Sequence, residues 1–106
     1  MIRPLTAEAL EPEILQADAP VVLDFYQANC APGHALEPRL ERVAEAYQDR
    51  VTVYRVDVDR DMPIAERFGV MSLATVLIFK GDKEAIRLDG LISESDLRAA
   101  FEQVAL

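Results

Sequence analysis

Cys30 is the only cysteine of the chain, and it sits in a short polar turn, Gln27-Ala28-Asn29-Cys30-Ala31-Pro32-Gly33. The chemistry it offers is that of a thiolate, the nucleophilic form of the side chain. The residues after the turn place Leu36, Leu40, Val43, Ala44 and Tyr47 on one helical face. Cys30 therefore stands where a helix begins. A helix N-terminus presents unpaired N–H groups and a partial positive charge. A thiolate placed there is stabilised, and its pKa falls below the free value of about 8.5. The plainer alternative is an inert, small apolar side chain in the core. The polar turn, with its Pro32 and Gly33, argues against deep burial.

His34 follows Cys30 by four residues. With Cys30 in the first turn the two share a helix face. His34 would then lower the thiolate pKa as imidazolium, or accept its proton. A solvent-facing histidine with no such role is the other reading. A Cys/His metal pair offers two ligands, too few for a site. No metal and no cofactor are expected.

The elements that position Cys30 begin with Val21-Val22-Leu23-Asp24-Phe25-Tyr26. An apolar run of this length suits a strand covered by helices on both faces. Asp24 inside it is costly unless neutral or hydrogen-bonded, so burial should raise its pKa. Upstream, Ile2 to Leu5 reads as an edge strand, where Pro4 is tolerable. Thr6 can cap a helix running to about Ala17, which Pro12 should break or kink. The helix after Cys30 should start near Ala31 or Pro32 and be interrupted and kinked at Pro38.

Downstream, Val51 to Val58 reads as a second inner strand, and Asp59-Arg60-Asp61 as a turn. Met62 to Phe68 reads as a short helix stopped by Gly69. Thr75 to Phe79 and Glu84 to Leu88 form a hairpin through Gly81-Asp82, of type II′. Gly90 should mark a bulge or a close backbone approach. Ser93 and Asp96 cap a last helix whose stripe is Leu97, Ala100, Phe101 and Val104.

The length fits one domain, residues 1–106. The net charge of −8, from 11 basic and 19 acidic residues, speaks against binding nucleic acid or an anionic membrane. One cysteine excludes an internal disulfide framework and a zinc site of the usual cysteine type. Met1-Ile2-Arg3-Pro4 carries no signal-peptide run, and no segment approaches transmembrane length. A soluble, cytoplasmic protein is expected.

The layout resembles thioredoxin over essentially the whole chain. Asp24, Cys30, Pro32 and Pro38 fall at the family's positions for the buried Asp, the first cysteine, the motif proline and the helix proline. The resemblance implies an α/β thioredoxin fold, with a mixed sheet of about five strands flanked by four helices. It also implies that Met71, Ser72, Leu73, Ala74 and Thr75 form the segment that meets peptide partners. Arg55 falls where the family has a lysine near the buried Asp. It would either pair with Asp24, lowering its pKa, or carry its head to solvent.

Three departures bear on chemistry. Asn29 replaces the family tryptophan, Gly33 the second cysteine, and Ala74 a cis-proline. A non-proline cis bond costs about 2.5–4 kcal/mol, so Leu73–Ala74 is expected to be trans, with the loop leaving the family path. In the family the matching Asp serves the second cysteine. Gly33 removes that client, so Asp24 is either vestigial or tunes pKa. Without a second cysteine, Cys30 can form a mixed disulfide and cannot resolve it. The expected function is single-cysteine thiol–disulfide chemistry with protein thiols or disulfides, or with glutathione. An external thiol would resolve the product, and a Cys30-linked dimer is a variant. The alternative is a non-redox binding module using the surface around Asn29–Gly33 and Met71–Thr75.

Overall fold

The computed structural model describes residues 2–10, 14, 16–28 and 31–105, and of residues 7 and 31–33 it describes the backbone alone. In chain order the elements are β1 (Ile2–Pro4), a 3-10 turn (Ala7–Ala9), β2 (Val21–Tyr26), α1 (Ala31–Ala46), β3 (Thr52–Asp57), α2 (Met62–Arg67), β4 (Thr75–Lys80), β5 (Lys83–Asp89) and α3 (Glu94–Ala105). The strands form one mixed sheet in the order β1-β3-β2-β4-β5. β3 runs parallel to β1 and β2, whereas β4 is antiparallel to β2 and β5.

β2 takes the centre because it can bury both faces. Val21, Leu23 and Phe25 enter one core, with Leu5, Ile14 and Ile64. Val22 enters the other, with Leu36 and Leu40 of α1 and Leu97 and Phe101 of α3. The strand's period of two sends alternate residues to opposite layers. Asp24 shares its side with Val22 and so lies under α1.

Several element boundaries agree with their sequence signals. β2 spans the expected residues, and α1 starts at Ala31. The α3 stripe Leu97, Ala100, Phe101 and Val104 is buried. A reciprocal box caps that helix: the Asp96 amide donates to Ser93 Oγ, and the Ser93 amide to Asp96 Oδ2. At the β4–β5 hairpin Lys80 pairs with Lys83. Gly81 has φ +65° and no non-glycine residue among those described has positive φ, so Asp82 does not, the signature of a type II′ turn.

Other expectations need correction. α1 is not interrupted at Pro38, which lies inside one continuous 16-residue helix. Proline there forfeits one backbone donor, while Leu36, Leu40, Val43 and Ala44 bury the face that holds the helix to the sheet. The expected helix from Thr6 to about Ala17 is described only in part: Ala7–Ala9 form a 3-10 turn, Leu10 and Ile14 are helical, and residues 11–13 and 15, Pro12 among them, lie outside the described residues. Three α-helices are complete among the described residues, and the first of the four expected falls largely outside them. Gly90 marks no close approach, since a Cβ built there meets nothing within 4 Å. Its φ of +80° explains it. The irregularity in the hairpin falls instead at Ile78/Phe79, where Ala85 of β5 is skipped in the pairing.

Phe101 is fully buried and meets Tyr47 with ring centroids 5.7 Å apart. This contact joins α3 to the end of α1. Phe101→Ala should lower the unfolding free energy by about 3–5 kcal/mol, measured by urea denaturation.

Candidate functional site

The site lies at the C-terminal end of β2, where the chain turns into α1. Ala28 ends the described part of that turn, and Asn29 and Cys30 lie outside the described residues. Ala31, Pro32 and Gly33 form the first turn of α1. The helix thus starts at the residue directly after Cys30. His34 is exposed, and its Nε2–H donates to the Ala28 carbonyl. A carbonyl only accepts, so this bond places the proton on Nε2. His34 therefore braces the turn from residue 28 to residue 34, which neither sequence reading of this side chain anticipated.

Asp24 is 3% exposed, and its Oδ1 has no hydrogen-bond partner among the described residues. Burial is the largest influence on its pKa and raises it from the ordinary 3.8 to about 7. The Arg55 charge pulls the other way, and Glu37 adds to the rise. Asp24 and Arg55 are cross-strand partners on β2 and β3, but no hydrogen bond joins them. Arg55 instead grips Glu37 of α1 through both terminal nitrogens, at 3.0 Å each, with its guanidinium 4.2 Å from the centroid of the Tyr26 ring. The two sequence alternatives for Arg55 are each met in part: its charge lowers the Asp24 pKa as expected of a pair, without a bond to Asp24, and its head stays partly exposed on Glu37. Glu37 takes both terminal nitrogens, and at Asp24 the effect of burial outweighs the Arg55 charge.

The partner segment is built from the C-terminus of α2. Gly69, with φ +64°, lets the Gly69 amide reach Glu66 O and the Val70 amide reach Ala65 O, a Schellman closure. Arg87 of β5 donates to the Phe68 carbonyl at 2.6 Å and the Gly69 carbonyl at 3.3 Å. These bonds fix where the loop departs. Within it Met71 is 95% exposed, Ser72 is exposed and Leu73 half-buried, while Ala74 and Thr75 are buried. So only the first three of the five expected residues offer side chains to a partner. Ala74 O accepts from the Gly90 amide, and Thr75 Oγ1 donates to Ser72 O at 2.6 Å.

The Leu73–Ala74 bond is cis. The expected trans bond is thereby overturned, and with it the ground for expecting an altered loop path. The trans preference belongs to an isolated bond. Here Ala74 is buried, and both sides of the bond are held by the contacts just given.

Met71, Ser72 and Leu73 form one wall of a groove of about 430 Å³. Its other walls are Gln27, Val58, Met62, Ala65, Glu66 and Val70. Gln27 Nε2 donates to Asp59 Oδ1 at 3.0 Å, tying the approach to Cys30 to the wall after β3. Sequence reasoning missed Gln27, Val58, Met62 and Glu37. Gln27, Val58 and Met62 each stand at the edge of an expected element, a signal that places them at loop ends and says nothing of a shared groove. Among the described residues no cluster of His, Cys, Asp and Glu suits a metal ion, and no helix is long and apolar enough to cross a membrane.

The raised Asp24 pKa makes stability depend on pH. Below pH about 4 the carboxyl is protonated in both folded and unfolded states. Between about 4 and 7 the unfolded state releases the proton and the folded state keeps it. Stability is therefore lost across that window and is level above it, the whole effect being on the order of 4 kcal/mol. Asp24→Asn should be more stable than the parent at pH 8 by ~2–4 kcal/mol, with a smaller gain at pH 5.5. Urea unfolding at the two pH values checks this.

The thioredoxin family model matches residues 1–103. A thioredoxin of Alicyclobacillus acidocaldarius subsp. acidocaldarius is 37% identical over 92 residues, covering 87% of this chain and 88% of that protein. A thioredoxin of Pseudomonas aeruginosa is 32% identical over 99 residues, covering 92% and 91%. Thioredoxin 1 of a Nostoc species is 27% identical over 99 residues, covering 93% and 92%. With the sheet order, the strand-to-helix turn and the loop before β4 all in place, the chain belongs to the thioredoxin family, whose chemistry is thiol–disulfide exchange with protein thiols and disulfides.

Proposed function

We propose that this chain is a single-cysteine thioredoxin-like redox protein, one domain over residues 1–106, working in the cytoplasm. The observation that carries this reading is the start of α1 at Ala31, the residue after Cys30. A helix of 16 residues supplies the amide donors and dipole that favour an anion at its N-terminus. The Cys30 thiolate attacks one sulfur of a partner disulfide. A new S–S bond forms, the old one breaks, and the other partner sulfur leaves as a thiolate. Gly33 supplies no second attack. An external thiol, from glutathione or a protein, displaces Cys30 from the mixed disulfide. Attack of one Cys30 on an oxidised copy would give a linked dimer by the same exchange.

Asp24 enters as a tuning group. Its carboxyl changes charge near neutral pH, and that charge state would bear on the Cys30 thiol. Ala31, Pro32 and Gly33 shape the helix start, His34 braces the turn and Asn29 precedes the thiol in sequence. The groove beside Met71, Ser72 and Leu73 would receive the polypeptide flanking the partner's sulfur. That groove is also what favours the second reading, a binding module without redox chemistry.

The two readings differ in their dependence on Cys30. Alkylation of Cys30 followed against pH should show a midpoint below about 8.5. Partners trapped without reductant should be released by it and lost in Cys30→Ser. A midpoint at the free value, with partner binding intact in Cys30→Ala, would establish the binding module instead. A disulfide-reductase assay without added thiol should show near-zero turnover, and sustained turnover there would refute both readings.

A further inference from the structure

Two buried polar atoms beneath α1 lack partners among the described residues, Asp24 Oδ1 and Arg55 Nε. They belong to paired positions of adjacent parallel strands. Their side chains therefore project to the same face of the sheet. One is an acceptor and the other a donor, with opposite formal charge when both are ionised. Such a pair would ordinarily close. The two remaining nitrogens of Arg55 are both taken by Glu37, and Tyr26 covers the guanidinium face. A cavity of about 220 Å³ opens at this cluster, lined by Tyr26, Gln27, Ala28, His34, Glu37 and Arg55.

We propose that Glu37 is a positioning residue for Asp24: its two-oxygen grip holds the Arg55 guanidinium toward the helix and so limits how much of that positive charge reaches the buried carboxyl. Glu37 thereby favours the protonated form of Asp24 in two ways, by engaging the cation and by its own negative charge. Among the described residues, the ionisable groups lining the cavity at this cluster are Arg55 from β3, Glu37 and His34 from α1, and Tyr26 from β2 itself. The β4 partner of Asp24 is Val76, which is apolar, and α3 presents Leu97 and Phe101 to the same core. The burial-driven rise in the Asp24 pKa, opposed by Arg55 and aided by Glu37, agrees with this arrangement. The consequence for thiol chemistry rests on the single-cysteine reading; the control of Asp24 ionisation does not.

The test is the titration of the Asp24 carboxyl carbon by NMR, in a Cys30→Ala chain so that no thiol titrates. The starting midpoint is about 7. Glu37→Gln keeps the size of the side chain and removes the grip, so the midpoint should fall by about one unit or more, a tenfold or greater rise in the ionisation constant. Arg55→Met should raise the midpoint. Adding Glu37→Gln to Arg55→Met should then lower it much less than Glu37→Gln does alone. An unchanged midpoint in Glu37→Gln overturns the proposal. So does an equal fall with and without Arg55, because Glu37 would then act directly rather than through the guanidinium. Alkylation of Cys30 in the parent chain is scored separately. An ordinary thiol pKa there defeats the single-cysteine reading and leaves the Glu37 result to stand or fall alone.

Discussion

A carboxyl group in the middle of a strand sealed on both faces is the constraint around which this structure is arranged. β2 must be apolar to sit at the centre of the sheet, and Asp24 is the exception it carries. Water is excluded by α1 above and by β3 and β4 on either side, so ionisation is penalised. The fold answers with a cation on the neighbouring strand, but that cation is committed elsewhere. The result is an acid held near its neutral form, next to the turn that leads to Cys30. Much of the site's electrostatics follows from where one arginine spends its donors.

Most of the framework could be read from the residues in order. The Val21–Tyr26 run, the α3 stripe, the Ser93/Asp96 cap and the Gly81 turn are local signals, each contained within a few residues. Local physics decides them, and the structure agrees. The buried Asp24 and its raised pKa also followed from composition alone, because an acid in an apolar run has few alternatives.

What escaped was non-local. Glu37 meets Arg55 across 18 positions of sequence, and no spacing rule links a helix residue to a strand residue at that separation. The cis bond at Leu73–Ala74 stands where Ala74 is buried and bonded to Gly90, neither of which is visible in the dipeptide. Pro38 was read by its propensity, which the packing of α1 overrides. The groove was half legible. Its Met71–Leu73 wall came from the family resemblance, whereas Gln27, Val58 and Met62 arrive from three separate segments. The inward turn of Ala74 and Thr75 likewise depends on where β4 enters the sheet.

The two outer strands set how this protein meets others. β1 is only three residues long and ends in Pro4, which has no amide hydrogen to offer. β5, at the far margin, displays Lys83, Glu84, Arg87 and Asp89. A short margin with a missing donor and a charged one both discourage a neighbouring chain from zipping onto the sheet. Both margins of the sheet are thus poor templates for strand-to-strand stacking of copies.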